Sequence, residues 1–407
     1  MPLRTMALAR GWAARGHRVW IITTRHPQGI TQIQEEGVET RFARNGIPGA
    51  YSWLWWQETS RMFRELYEQA QVEVICSDNV AAVGLLKRAK EANIPLAAII
   101  NGHFGGELRA LFRQARSPRR LLTAATKHLA RLLYYYVRTT LFLQATDAVI
   151  AVSDDVAQAL SRWYFVDEAR VRTIYNGVDT DKFYSEAAKG EAFRRQHGLG
   201  LEEPVLLVLS RLDRLKGVQV ALQAFREVLA TLPQACLFIV GRGPYEAELH
   251  QLAQQLGIAS RVYFCGFLSH EQTPLAYNAC NIFWMPSLYT ETFPTTVLEA
   301  MACGKVVVAS ARGGVLGMID HAVDGFLVPP GNASALATTT LEILQDPVRV
   351  ERVGTRAEAK VRQKFTREKM IEGILNVLMD IRQDGLESEE EGKDAQSTPL
   401  EPGQSRP

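Results

Sequence analysis

Short β-rich runs alternate with stretches long enough for helices, and they do so in two series along the 407 residues. The first series is RVWIITT (18–24), VEVICS (72–77), PLAAII (95–100) and AVIAVS (148–153). The second is PVLLVLS (204–210), CLFIVG (236–241), VYFCG (262–266), NIFWMPS (281–287) and KVVVAS (305–310). Strand, long connection, strand is the rhythm of a parallel sheet, because a parallel neighbour is reached only by a crossover. Runs this apolar fit strands covered on both faces. An α/β architecture satisfies both conditions, and two series imply two doubly wound domains. The polar, glycine-containing stretch after Ile174 separates them, with the boundary near residue 185. The expected division is a first domain over 1–185, a second over 186–365, a helix over 366–384 returning toward the first domain, and a tail over 385–407 that is too polar to bury a core and reads as disordered.

The start of the chain departs from this scheme. Leu3, Met6, Ala7, Arg10 and Gly11 form one face of a helix that ends at Gly16 and feeds directly into RVWIITT, with nothing strand-like before it. In the usual order of a doubly wound sheet the first strand is central. The expectation is a first domain that lacks this strand.

Composition closes off other classes. With 47% hydrophobic and 22% charged residues the chain is globular rather than disordered, collagenous or coiled-coil. Five scattered cysteines without a C-x-x-C pair suggest neither a disulfide framework nor a cysteine-based zinc site, and fit a reducing cytoplasm. No leader-like apolar segment opens the chain, and no run reaches the roughly 18 apolar residues of a membrane span. Charge is uneven: 24 Lys and Arg face 17 Asp and Glu over residues 1–185, against 22 and 27 beyond. Eight basic residues from Arg109 to Arg138, interleaved with leucines and tyrosines, meet no acid between Glu107 and Asp147. Two readings stand: a surface helix whose apolar stripe is core, or a basic amphipathic segment over 109–138 in peripheral contact with an anionic membrane. No nucleic-acid partner is expected.

The residues that carry chemistry sit where strands end. Glu291 and Glu299 flank a turn into a helix followed by the strand KVVVAS. Pro294 suits a first helical turn, so the free amides of Thr295 and Thr296 would form an anion site while the two carboxylates take up ligand hydroxyls; solvated surface carboxylates are the alternative. Arg211 and Lys216 follow PVLLVLS and pair a forked donor with a point charge, a combination suited to a diphosphate. Gly241 and Gly243 follow CLFIVG but lack the third glycine of a dinucleotide fingerprint, and permit a tight turn or the close approach of a base or sugar. His103 stands among glycines directly after PLAAII, either facing a ligand or structural. Asn176-Gly177-Val178-Asp179 reads locally as a plain Asn-Gly turn.

Taken in order, the strand-end His103, the NGVD turn, the RLxxxKG loop, GRGP, the E-x7-E element with EAMACGKVVVAS, the Gly313-Gly314 pair and DGFLVPPGN resemble retaining glycosyltransferases of the GT-B fold, family 4. The likeness runs from Leu3 to the helix near Arg382. It implies two Rossmann-like domains facing a cleft, a nucleotide-diphosphate sugar as co-substrate with no metal or other cofactor, and transfer of a hexosyl group with retention to an acceptor hydroxyl (EC 2.4 type). Arg211 and Lys216 would hold the diphosphate, Glu299 the ribose, Glu291 the donor sugar and the Thr295 and Thr296 amides the distal phosphate. His103 would lie beside the anomeric centre or the sugar's primary alcohol. The implied acceptor is a glycan or a lipid-linked molecule, met in the cytoplasm or at its membrane face. Family members usually open with a strand and a glycine-rich loop, which this sequence does not show. The alternative is therefore a catalytically impaired or partner-dependent nucleotide-sugar-binding protein of the same fold.

Overall fold

A computed structural model of the chain describes residues 3–46, 53–102 and 133–397. Each run named above carries a strand. The first half holds β1 (Val19–Thr23), β2 (Gln32–Glu35), β3 (Val38–Phe42), β4 (Ile75–Asp78), β5 (Leu96–Ile100), β6 (Ala148–Ala151) and β7 (Val171–Thr173). The second holds β8 (Val205–Leu209), β9 (Cys236–Val240), β10 (Val262–Gly266), β11 (Ile282–Met285), β12 (Val306–Ser310) and β13 (Phe326–Val328).

In the second half the strands form one parallel sheet ordered β10-β9-β8-β11-β12-β13. Successive side chains of a strand point to opposite faces. Accordingly Leu206 and Val208 of β8 join the core formed with helices Val218–Thr231 and Ala333–Leu344. Val205 and Leu207 join the core on the other face. All four are at most 1% exposed, which is why β8 reads as an unbroken apolar run. In the first half the strands fall into two sheets: β1-β3-β2, with β2 antiparallel to β3, and the parallel β4-β5-β6-β7.

The chain passes between the halves after β7 and returns at its last helix. After β7 the chain passes under the start of the last helix: Val178 N donates to Phe365 O at 2.9 Å and Arg367 N donates to Val178 O at 2.8 Å. A Cβ on Gly177 would stand 2.3 Å from Thr366 O, so this position needs glycine for a backbone approach. The NGVD segment is thus an interdomain contact and not the plain turn its local sequence suggests. Helix Arg367–Ser397 then packs on the opening helix Leu3–Ala13, with Trp12 Nε1 donating to Ile371 O at 3.2 Å. The helix runs on through residues 385–397, where disorder was expected. Its Glu, Lys, Gln and Ala residues are good helix formers, and extending an existing helix costs far less than nucleating one. Residues 398–407 lie outside the described residues, as do 103–132, with His103 and all of the expected basic segment except its end. Arg138, which is described, lies with its guanidinium 4.0 Å from the ring centre of Trp56. Among the described residues no helix is long and apolar enough to cross a membrane.

Candidate functional site

The six-stranded sheet changes winding direction between β8 and β11. The chain runs outward from β8 through β9 to β10, returns to β11 beside β8, and runs outward again through β12 to β13. Connections leaving neighbouring strands in opposite directions open a crevice at their C-terminal ends. A cavity of about 610 Å3 lies there, lined by Ser210, Arg211 and Lys216 after β8, Gly241 and Arg242 after β9, Ser287 and Glu291 after β11, and Pro294 and Thr296 beyond.

Lys216 is fixed by its loop. Asp213 Oδ1 accepts from Leu215 N at 3.0 Å, capping a short helical turn, and Gly217 leaves that turn at φ +73°. A Cβ there would stand 1.9 Å from Pro286 O, so the loop sits hard against the end of β11. Lys216 Nζ then lies 2.7 Å from Glu291 Oε1, with side chains 28% and 13% exposed, and Ser287 Oγ donates to the same oxygen at 2.9 Å. Two residues expected to meet phosphate and sugar are therefore also partners of each other. Arg211 is different: its side chain is 74% exposed and paired with Asp213 Oδ2 at 2.7 Å, in a position screened by water.

Helix Thr295–Ala302 starts at the cleft without a side-chain cap. Pro294 is its N-cap, with ψ 118° keeping it extended, so it stands just before the first helical turn in which it was expected. The first amides of a helix have no partner within it, so those of Thr295 and Thr296 form a positive helix end, of which Thr296 lines the cavity and Thr295 does not. Glu299 lies one turn further in and is 6% exposed. Its Oε2 accepts from Tyr277 Oη at 2.8 Å, and its Oε1 stands 3.6 Å from His270 Nε2. Burial, then the Glu299 charge, push the Tyr277 hydroxyl well above its usual 10, so it stays a donor at neutral pH. Gly241 lines the cavity, whereas Gly243 does not. What crowds both is the neighbouring loop, since a Cβ would stand 1.9 Å from Ser210 O at the first and 2.1 Å from Leu212 O at the second.

The first half approaches the same loop from across the cleft. Thr292 Oγ1 donates to Asn101 O at 2.6 Å, and Asn176 Nδ2 donates to Phe293 O at 3.2 Å. Arg4 Nη2 meets Asp78 Oδ1 at 3.0 Å, and Asn101 Nδ2 donates to that oxygen at 2.6 Å, a polar cluster at the ends of β4 and β5. Arg4, Asp78, Thr292, His270 and Tyr277 had carried no expectation. Thr292 lies within the E-x7-E string and could have been suspected; a tyrosine facing a carboxylate looks locally like any core aromatic. Among the described residues no three His, Cys, Asp or Glu side chains converge as a metal site would require.

Both halves of the chain match known families. Residues 3–182 match the model of Glycosyltransferase Family 4, and residues 190–360 match that of Glycosyl transferases group 1. An uncharacterised glycosyltransferase of Methanocaldococcus jannaschii is 31% identical over 231 residues, 56% of this chain and 59% of that protein. A GDP-mannose-dependent alpha-(1-6)-phosphatidylinositol monomannoside mannosyltransferase of Mycolicibacterium smegmatis is 33% identical over 196 residues, 47% of this chain and 51% of that protein. The matched span thus covers little more than half the length of these relatives. A solved sucrose-phosphate synthase from Thermosynechococcus elongatus superimposes with a TM-score of 0.77 at 25% identity, covering 93% of this chain and 92% of that one.

Proposed function

We propose that this chain, a GT-B protein whose two halves match glycosyltransferase family models, is itself a glycosyltransferase that takes a hexosyl group from a nucleotide-diphosphate sugar. One observation carries the reading: Lys216, Glu291 and the uncapped start of helix Thr295–Ala302 share one cleft at the switch point of the parallel sheet. A cation and a helix N-terminus suit a departing diphosphate, and a carboxylate suits a sugar hydroxyl.

In this reading the Lys216 ammonium and the Thr295 and Thr296 amides stabilise the charge that develops on the leaving diphosphate, while Arg211 contributes from the rim. Glu299 accepts from the ribose. Glu291, fixed by Lys216 and Ser287, accepts from the donor sugar. Retention of configuration follows as part of the reading, with catalysis by leaving-group stabilisation and positioning of the acceptor hydroxyl. The acceptor, a glycan or lipid-linked molecule, enters from the first half, where Asn101 and Thr292 close the gap between domains. His103 is the expected neighbour of the anomeric centre.

Titration calorimetry with UDP-, GDP- and ADP-sugars tests the proposal. At least one should bind, and it should be slowly hydrolysed in the absence of acceptor by the wild type but not by Glu291→Ala. A wild-type protein that binds none of the three ends the proposal. With the diphosphate charge met by the protein's own groups, excess EDTA should change turnover less than about twofold; a loss of more than tenfold, restored by a divalent cation, would remove metal independence from the reading.

A further inference from the structure

A carboxylate whose rotation is already restricted loses less freedom when it accepts from a pair of vicinal hydroxyls, and the Glu299 carboxylate carries contacts that restrict it. Tyr277, wholly buried, donates its hydroxyl to Oε2 at 2.8 Å. Oε1 is turned the other way, toward His270, whose side chain is 34% exposed. The His270 ring is itself fixed on its far side: Lys182 Nζ stands 2.8 Å from Nδ1, and an ammonium can only donate. Nδ1 of the neutral ring must then accept, which puts the ring proton on Nε2, the nitrogen 3.6 Å from Glu299 Oε1. Phe183 packs edge-on to the same ring at 5.1 Å, and Lys182 also meets Glu271. Lys182 and Phe183 belong to the segment that follows the interdomain crossing at Gly177–Asp179.

We infer that Tyr277 and His270 are positioning residues for the nucleotide ribose: Tyr277 anchors Oε2 inward so that Oε1 is presented to the ribose hydroxyls, and Lys182 holds His270 in the tautomer that flanks it. This rests on the reading of Glu299 as the ribose acceptor. A residue that positions a carboxylate differs from one that merely fills the core, because its removal lowers discrimination for the hydroxyls and not simply affinity. It also loses its effect once the carboxylate is gone.

Binding of UDP, GDP and ADP, each beside its 2′-deoxy and 3′-deoxy counterpart, should be measured by calorimetry for wild type, Tyr277→Phe, His270→Leu, His270→Gln, Glu299→Ala and Tyr277→Phe/Glu299→Ala. The wild type should prefer the ribonucleotide by at least tenfold. Tyr277→Phe and His270→Leu should cut that preference at least fivefold, His270→Gln, which keeps an N–H donor, should restore most of it, and Tyr277→Phe should change nothing further once Glu299 is alanine. With the preferred donor sugar, Tyr277→Phe should raise KM about tenfold with kcat within threefold. A wild type that discriminates while both single variants keep its full preference overturns the positioning inference alone. A wild type that binds no nucleotide, or binds without regard to the ribose hydroxyls, overturns the role of Glu299 and this inference with it. His270 is partly exposed, so its variants report even if Tyr277→Phe fails to fold.

Discussion

Lys216 and Arg211 carry the same sign and belong to the same loop, yet their surroundings separate them. Lys216 is paired with Glu291 and followed by Gly217, which packs on Pro286 O, whereas Arg211 is mostly exposed beside Asp213. Lys216→Ala should therefore lower kcat/KM about 10²- to 10³-fold, the usual cost of one well-placed donor to a developing anion. Arg211→Ala should cost no more than about tenfold, because water screens an exposed charge. Steady-state kinetics of the two variants checks this; equal losses would mean that Arg211 leaves Asp213 and enters the cleft in the working state. That this loop carries cations was legible, since a basic residue after a strand is a local fact. The ion pair with Glu291 was not, because it joins residues 75 positions apart.

Among the elements, the loop between β8 and helix Val218–Thr231 depends on one residue. Gly217 at φ +73° lies in the left-handed region, and its missing Cβ makes room for Pro286 O. Gly217→Ala should destabilise the protein by roughly 1–3 kcal/mol from backbone strain, more if β11 must move. It should also weaken donor binding, because Lys216 is the preceding residue. Urea unfolding of the variant, read beside its donor affinity, checks both; loss of stability with unchanged affinity would show that the loop is not what holds Lys216. Strands buried on both faces were legible as apolar runs. The hairpin β2–β3 was not, because QIQE has one apolar residue and is mostly exposed, while in VETRF polar residues stand between Val38 and Phe42 although Val38 and Thr40 are buried. Its one available signal was the two-residue loop Glu36-Gly37, both at positive φ, as a tight antiparallel turn demands. The short β7 and β13 have three residues each, too few to set a period.

For the whole molecule, the crossing at Gly177 and the thiols of the half-buried Cys76 and buried Cys280 make separate predictions. Gly177→Ala should push Thr366 away from the linker and cost roughly 1–3 kcal/mol, read as a lower urea midpoint, with donor turnover falling as the halves lose their register. An unchanged midpoint would show that the last helix shifts freely. Burial raises Cys76 from 9.0 to about 12 and Cys280 from 9.0 to about 11. Folded thiols stay protonated where unfolded ones ionise, so stability should be level below about pH 9 and fall as pH rises from there toward 11–12, each thiol contributing a slope of up to about 1.4 kcal/mol per pH unit. Urea midpoints at pH 8 and 10.5 should differ accordingly, and by less in Cys76→Ala/Cys280→Ala; an equal difference in that variant would assign the fall to other groups. The sequence by itself determined the alternation of strand and helix, the two series of apolar strands and which residue types stand at each strand end, because apolar periodicity and turn residues act within a few positions. Only the tertiary structure decided which of those ends meet: Lys216 with Glu291, Tyr277 and His270 with Glu299, and Asn101 with Thr292. Such pairings depend on the winding order of a sheet and the closing of two halves, and no local pattern of residues encodes the distance between points far apart in the chain.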